Sequence, residues 1–257
     1  MFSVPGIAKL LQNLETHKAT GPDGVPTHLL KITADESALA LQLIFQASVA
    51  QGCVPPDWKM ADVVPVFKKG DRANPANYRP ISLTSVCSKV MEHILHSSIM
   101  QHLEYHNILT DHQHGFRKNR SCESQLILCI DDLAKCVDYH GQTDAILLDF
   151  SKAFDKVSHS RLLLKLQHYG IRNCTLDWIG DFLSCRSQRV VLDGQSSSDI
   201  LVSSGVPQGT VLGPLLFLST SMTSQTVSYP LLACLLMIVY YTAGSMMHTT
   251  RRPYRLT

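Results

Sequence analysis

The fold is decided by one stretch of the sequence, Leu148-Asp149-Phe150-Ser151-Lys152-Ala153-Phe154-Asp155. It overlaps the apolar run 144–150, which is bounded by acidic residues and predicts a buried strand. An aspartate at the end of a buried strand is costly unless its carboxylate binds a cation or accepts several hydrogen bonds. Asp149 is therefore a candidate metal ligand, whereas Asp155 also fits the N-cap of a following helix. Taken alone, the stretch favours the capping interpretation.

A second string is rich in glycine and proline and runs from Gly205 to Phe217 as Gly-Val-Pro-Gln-Gly-Thr-Val-Leu-Gly-Pro-Leu-Leu-Phe. Small residues allow the backbone to approach a flat or charged ligand closely. The Gln208 amide offers both donors and an acceptor. Taken alone, the string is equally typical of a loop that leads into a helix.

Two further strings contain basic residues suited to phosphate. One is Asn77-Tyr78-Arg79-Pro80-Ile81-Ser82-Leu83, preceded by Lys68, Lys69 and Arg72. The other is Gln113-His114-Gly115-Phe116-Arg117, followed by Lys118 and Arg120. Arginine offers a planar fork for phosphate oxygens and lysine a mobile point charge. A solvated charged loop without a ligand is the usual alternative.

Helical patterns interleave with few strands along the chain, which predicts an α+β fold. Apolar residues at helical spacing indicate helices, and short β-branched runs between turn formers indicate strands. The predicted helices span 5–17, 37–51, 84–106, 155–169 and 174–185; the predicted strands span 63–67 and 144–150, and 188–192 forms a hairpin with 200–203.

The charge distribution excludes a broad basic surface for nucleic acid. Lys and Arg number 23 against 21 Asp and Glu, and Arg251, Arg252 and Arg255 lie beyond Asp199, the last acidic residue. Phosphate binding must therefore come from local clusters. The 8 cysteines show no zinc-like spacing and follow no secretory signal, so reduced thiols are expected.

The order and spacing of these strings resemble the reverse transcriptases of non-LTR (LINE-type) retrotransposons. The resemblance covers residues 5–218. It rests on Lys-Ala-Thr-Gly-Pro-Asp-Gly from Lys18, the Trp58-Lys59 turn, Phe-Lys-Lys-Gly-Asp from Phe67, Asn-Tyr-Arg-Pro-Ile-Ser-Leu from Asn77, Gln-His-Gly-Phe-Arg from Gln113, Leu-Asp-Phe-Ser-Lys-Ala-Phe-Asp from Leu148 and Gly-Val-Pro-Gln-Gly-Thr-Val-Leu-Gly-Pro from Gly205.

The resemblance implies a right-hand polymerase fold with fingers and an incomplete palm, and we expect the thumb to be absent. It implies RNA-templated addition of deoxynucleotides to a primer 3′-hydroxyl, an in-line phosphoryl transfer assisted by two Mg²⁺ ions. The expected partners are an RNA template, a DNA primer and deoxynucleoside triphosphates, with action in the nucleus. No stable protein partner is predicted.

The family motif assigns metal and sugar contacts to the Leu148–Asp155 stretch. Asp149 would be the catalytic, metal-binding aspartate, assisted by the Phe150 carbonyl. Phe154 would lie under the incoming sugar and exclude a ribose 2′-hydroxyl, while Asp155 would hold its loop.

Phosphate and template contacts are assigned to the other strings. Lys69 and Arg79 would contact the triphosphate, and Gln208 with Gly209 would line the nucleotide and template pocket. Nucleic-acid contacts are expected from Lys68, Arg72, Arg117 and Lys118.

The sequence departs from the family after Leu218. The family continues with Tyr-Ile-Asn-Asp-Leu and then Phe-Ala-Asp-Asp, whose paired aspartates complete the metal site. Here no acidic residue follows Asp199. Asp149 alone leaves the second metal without its protein ligands, so we expect an inactive copy.

A change of reading frame explains the departure. Joining the last base of each codon to the first two of the next lets Ser219–Ser224 spell Tyr-Ile-Asn-Asp-Leu and Ala233–Tyr241 spell Leu-Phe-Ala-Asp-Asp-Cys-Leu-Leu. Asp is forced after Met222 and Met237, because a Met codon ends in G. We therefore favour a one-nucleotide frame change near Leu218.

A rival interpretation treats the apolar tail, residues 219–257, as a correctly translated sequence. The uncharged run 230–247, followed by Arg251 and Arg252, is long enough for a short membrane span. Shifted codons explain the same hydrophobicity, because codons with a central T encode apolar residues. A membrane role is therefore not expected.

Three segments and three functions follow from the sequence. We expect a helical extension over 1–60, incomplete reverse transcriptase fingers and palm over 61–218, and an aberrant apolar tail over 219–257. The functions left open are an active polymerase, an inactive remnant that still binds RNA or nucleotide and, less favoured, a membrane-attached protein.

Overall fold

The computed structural model describes residues 2–139, 143–148, 152–221 and 237–242. The chain forms two compact units, Met1–Leu109 with Ser151–Met222, and Thr110–Phe150 with Thr223–Thr257. In chain order, the described elements are α1 Val4–Gln12, α2 Thr27–Ile32, α3 Ala34–Gln51, β1 Met60–Phe67, β2 Tyr78–Leu83, α4 Val86–Tyr105, α5 Cys122–Asp138, β3 Thr143–Leu148, α6 His159–His168, α7 Asn173–Leu183, β4 Arg186–Leu192, β5 Gln195–Ser196, β6 Ile200–Val202, α8 Leu212–Ser221 and β7 Met237–Thr242.

A mixed sheet organises the first unit in the order β2-β1-β4-β5, and β6 pairs with β4. β1 runs antiparallel to β2, with Val66 opposite Arg79, and parallel to β4, with Asp62 opposite Arg189. Arg189 Nε donates to Asp62 Oδ1 across these strands at 2.7 Å. Successive residues of a strand point to opposite faces. Arg79 therefore lies on the face opposite to Ser82.

Helices α1, α3 and α7 supply much of the core of this unit. Ile7 of α1 is fully buried, and Trp178 of α7 stacks on Phe182 with ring centroids 5.4 Å apart. The Trp178 indole Nε1 donates to Ser48 Oγ of α3 at 2.8 Å, so the polar atom of the ring is satisfied inside the core. α3 ends where Gly52 adopts a left-handed φ of 65°.

The second unit contains α5 and a two-stranded antiparallel sheet of β3 and β7. The pairing runs from Thr143 opposite Thr242 to Leu148 opposite Met237. A capping box begins α5, because Ser121 and Ser124 each accept the other's backbone amide through their side chains.

The structure confirms the α+β class and most of the predicted elements. α3, α4, α7, β1 and the hairpin of β4 with β6 lie where the sequence predicts them. Two helix predictions were wrong at one end. The helix predicted over 5–17 ends at Gln12, and the helix predicted over 155–169 begins at His159, because turns occupy residues 152–155.

The elements that were not predicted include α2, α5 and β2. Pro80 argues against a strand, because proline cannot donate to a ladder. β2 tolerates it as an edge strand of the sheet. The strand predicted over 144–150 appears as β3, but the predicted burial of its side chains lies outside the described residues. Of the predicted tail, the structure describes the end of α8 and β7.

Candidate functional site

The glycine loop, residues 204–211, connects β6 to α8 and packs on the segment just before α6. Gly205 N donates to Val157 O and Val206 N donates to Phe154 O, each at 2.9 Å. His159 Nε2 donates to Gly205 O at 2.7 Å. Mostly backbone groups thus fix the start of the loop.

Two glycines of this loop are required by conformation and by space. Gly205 has a φ of 87° and Gly209 a φ of 110°, both in the left-handed region. A Cβ at Gly205 would lie 2.8 Å from Asp155 Cα, and a Cβ at Gly209 would lie 2.4 Å from Ser82 O. Any side chain at these positions would push the loop away from its neighbours.

Gln208 links the loop to residues of two earlier sequence strings. Ser82 N at the end of β2 donates to Gln208 O at 2.8 Å. The Gln208 side chain donates through Nε2 to Asp155 Oδ1 at 3.1 Å. Ser82 of the string 77–83 and Asp155, the last residue of the string 148–155, therefore both contact Gln208 of the glycine loop.

A cleft of about 290 Å³ lies against the glycine loop and the sheet. Its lining includes Arg186 of β4, which is only 3% exposed. The guanidinium donates to Phe182 O at 3.0 Å and to Trp58 O at 3.3 Å. Burial lowers the pKa of Arg186, but a guanidinium stays protonated in proteins. Gln188 and Gln208 add amide groups to the lining, so the cleft suits a polar ligand.

The end of the loop is held by Glu92 of α4, which is fully buried. Glu92 Oε2 accepts from Val211 N at 2.8 Å and from Leu212 N at 3.1 Å. Its other oxygen accepts from Ser88 Oγ at 3.1 Å. Burial raises the pKa of Glu92, against the opposing effect of the two amides, Arg186 and Ser88.

Glu92 was not predicted as a functional residue. Its only signal is a single carboxylate among the apolar residues Val90, Met91 and Leu95 of a predicted helix. A carboxylate at such a position could equally lie on a solvated helix face. Only the three-dimensional structure shows that Glu92 is buried against the start of α8.

A basic cluster of Lys68, Lys69 and Arg72 occupies the turn between β1 and β2, and all three side chains are exposed. Lys68 N donates to Asn77 O at 2.8 Å and closes the turn. Arg72 Cζ lies 4.9 Å from the ring centroid of Phe67, a cation–π contact that orients the guanidinium. The turn therefore presents positive charge to solvent.

Residues 66–231, more than half of the chain, match the family model described as reverse transcriptase (RNA-dependent DNA polymerase). The chain belongs to this family.

Curated relatives of this chain come from non-LTR retrotransposons. A probable RNA-directed DNA polymerase from transposon BS of Drosophila melanogaster is 31% identical over 221 residues, covering 83% of this chain and 24% of the relative. The RNA-directed DNA polymerase from mobile element jockey of the same species is 29% identical over 212 residues, covering 82% of this chain and 23% of the relative. The chain thus spans about a quarter of the length of these relatives.

A solved structure confirms the polymerase fold. Apo telomerase from Candida tropicalis, truncated from the C-terminal domain, is similar with a TM-score of 0.50 and 15% sequence identity. The similarity covers 82% of this chain and 49% of the telomerase chain. The right-hand fold expected from the sequence is therefore confirmed, as is the resemblance to non-LTR reverse transcriptases.

The structure brings three of the predicted nucleotide-binding residues together. Phe154, Gln208 and Gly209 meet at the glycine loop, and the Phe154 ring stacks on Phe217 of α8 with centroids 4.7 Å apart. The predicted triphosphate contact Lys69 lies in the basic turn between β1 and β2 and not at the glycine loop. Arg79 is on β2 but faces away from the cleft-lining Ser82, so the structure does not place it in the cleft.

The predicted metal ligands Asp149 and Phe150 lie outside the described residues. Among the residues that the structure does describe, no group of three or more His, Cys, Asp or Glu could hold a metal ion. The Asp155 carboxylate accepts a hydrogen bond from Gln208. The described residues therefore offer no ligand set against which the expected Mg²⁺ pair could be fitted.

The predicted nucleic-acid contacts Arg117 and Lys118 belong to the second unit. Arg117 donates through a terminal nitrogen to Thr110 O at 2.8 Å, while Lys118 is exposed. Nearby, Arg120 forms an ion pair with Asp111 at 2.7 Å. Arg117 thus makes at least one contact that stabilises its own turn.

The described part of the chain contains no helix that is both long and apolar enough to cross a membrane. Most of the run 230–247 lies outside the described residues.

Proposed function

We propose that this chain is the fingers and front palm of a retrotransposon RNA-directed DNA polymerase that binds nucleotide and primer–template but does not catalyse synthesis. The observation that supports binding is the meeting of three strings at Gln208, which bonds to Ser82 and to Asp155. Residues 61–218 would form the polymerase part. The helices before residue 60 would extend the fingers.

Phosphate recognition would come from the basic turn. Lys68, Lys69 and Arg72 are exposed there, and lysine and arginine bind phosphate oxygens through charge-assisted hydrogen bonds. Lys69 and Arg79 would hold the triphosphate, and Arg79 would do so from the sheet face that it shares with Val66. Lys68, Arg72, Arg117 and Lys118 would contact the nucleic-acid backbone.

The sugar would be recognised by Phe154. Its ring is fixed by stacking on Phe217 at an interplanar angle of 19°, so it cannot easily yield to a larger sugar. A ribose 2′-hydroxyl against a rigid ring would lose its hydration without gaining a partner. Gln208 and Gly209 would line the pocket beside it.

Loss of catalysis is proposed from the sequence. Mg²⁺, when bound, would stabilise the attacking and leaving oxygens of phosphoryl transfer. Asp149 and the Phe150 carbonyl would be its protein ligands, but no carboxylate follows Asp199 to complete the pair. The chain would therefore retain binding groups without the full metal site.

The test separates binding from synthesis. Purified chain is mixed with an RNA template annealed to a DNA primer and with deoxynucleoside triphosphates, in Mg²⁺ or in Mn²⁺. We expect measurable binding of primer–template and nucleotide but no primer extension. Extension that disappears in Asp149→Ala would show that the copy is active, and absence of all binding would reject the proposed function.

A further inference from the structure

Glu92 is a buried carboxylate whose hydrogen bonds all serve the start of α8 and its own helix. It has no exposure to solvent, and burying a carboxylate is costly unless hydrogen bonds or a positive charge compensate. Here Val211 N, Leu212 N and Ser88 Oγ provide three hydrogen bonds. A carboxylate at this place satisfies backbone amides that the first turn of α8 leaves without helical partners.

The amides held by Glu92 follow directly after the residues that meet at the cleft. Gln208 and Gly209 are anchored on one side through Ser82 and Asp155. Glu92 fixes the other end of the same loop at Val211. The loop is thus held at both ends, and the position of Gln208 depends on both anchors.

Two cations interact electrostatically with this carboxylate. One is Arg186, which also lines the cleft. The other is Lys89 of α4, which the negative charge of Glu92 favours in its protonated form. The charge of Arg186 in the cleft lining therefore acts on the acid that holds the loop.

We propose that Glu92 is a positioning residue for the nucleotide site, holding the glycine loop, and through it Gln208, by accepting the amides of Val211 and Leu212. This inference rests on the proposed function, because it assigns Glu92 a role in nucleotide binding.

Two substitutions separate hydrogen bonding from charge. Glu92→Ala removes every acceptor. Glu92→Gln keeps them, because the amide oxygen can accept both backbone amides and the amide nitrogen can donate to Ser88 Oγ. Ser48→Ala is the matched control: it removes a buried acceptor from Trp178 Nε1. Ser48 Oγ bonds Trp178 and Cys53 O, neither of which belongs to the glycine loop.

Two measurements are made on each variant, the dissociation constant for a deoxynucleoside triphosphate and hydrogen exchange at the amides of Val211 and Leu212. In Glu92→Ala we expect affinity to fall about tenfold or more, since two buried donors lose their acceptor, and both amides to exchange faster. Glu92→Gln should restore affinity to within about twofold. Ser48→Ala should lower thermal stability without changing affinity.

The outcomes distinguish this inference from the proposed function. No nucleotide binding by the unmodified chain rejects the proposed function and the inference with it. Binding by the unmodified chain that persists unchanged in Glu92→Ala rejects the inference alone. If Glu92→Ala does not fold, Glu92→Asp replaces it, because the shorter side chain cannot reach both amides; affinity equal to that of the unmodified chain would then overturn the inference.

Discussion

The glycine loop and the basic turn are both expected to bind nucleotide, yet they are built in opposite ways. The glycine loop is fixed by contacts to distant elements, at Val157, Ser82 and Glu92. The basic turn is closed on itself, by Lys68 N on Asn77 O and by Tyr78 Oη on Arg72 O. Substitutions that change the backbone or its anchors in the loop should therefore disturb the fold, whereas substitutions in the turn should disturb binding alone.

The largest effect is expected from Gly209→Ala in the glycine loop. The residue has a φ of 110° and its added Cβ would lie 2.4 Å from Ser82 O, so the free energy of unfolding should fall by about 3 kcal/mol. Urea denaturation measures it. Gly194→Ala is the control, because φ is 77° there and no atom lies within 4 Å; it should cost about 1 kcal/mol. If both variants lost the same free energy of unfolding, the glycine loop would be able to move away from β2 without cost.

The contrast between the two regions also explains what sequence could reveal. The basic turn was recognisable because its residues are consecutive and its contacts are local. The contacts of Gln208 with Ser82 and Asp155 were not recognisable, because a single sequence carries no information on which distant strings meet. Both regions were predicted to bind nucleotide because their motifs resemble those of the family.

Other features escaped prediction for related physical reasons. Glu92 is one acid in a helical pattern, and its burial depends on where α8 begins. The face on which Arg79 lies follows from the strand register of β2, which was not predicted because Pro80 masked the strand. By contrast, α3 and α4 lie close to their predicted bounds, and Gly52 marks the end of α3 in the sequence.

The next largest effect tests the basic turn. Reversing both Lys68 and Lys69 to Glu should lower affinity for single-stranded RNA by about tenfold or more at low salt, and reduce the slope of log K against log salt by about 1.4. Fluorescence anisotropy across a salt series measures both quantities. The free energy of unfolding should stay within about 0.5 kcal/mol of the unmodified value.

A double reversal elsewhere controls for net charge. Lys9→Glu with Lys31→Glu makes the same charge change on α1 and α2 and should leave the salt slope nearly unchanged. If it weakened RNA binding as much as the change at the turn, the turn would not be a specific phosphate site.

A smaller effect concerns pH and the loop anchor. Burial raises the pKa of Glu92 above its ordinary 4.5, so the folded chain binds this proton more tightly than the unfolded chain. The stabilising contribution is therefore complete below pH 4.5 and is lost as pH rises through the raised value. Glu92→Gln does not titrate, so its stability relative to the unmodified chain should increase with pH. The measurement is the free energy of unfolding of both chains at one pH below and one pH above the raised pKa. The same difference between the two chains at both pH values would contradict this prediction.

The smallest effect on stability is expected at the point where the loop meets solvent. The Gln208 Nε2 to Asp155 Oδ1 bond is exposed, so Gln208→Ala should change the free energy of unfolding by only about 0.5 kcal/mol. If Gln208 contacts the nucleotide directly, affinity should still fall several-fold. Asp155→Ala removes the acceptor but leaves Gln208 in place, held by its backbone bond to Ser82, and should weaken binding less. Equal losses of affinity in both variants would mean that Gln208 acts by holding the loop and does not touch the ligand, which would move the contact surface to the glycine backbone itself.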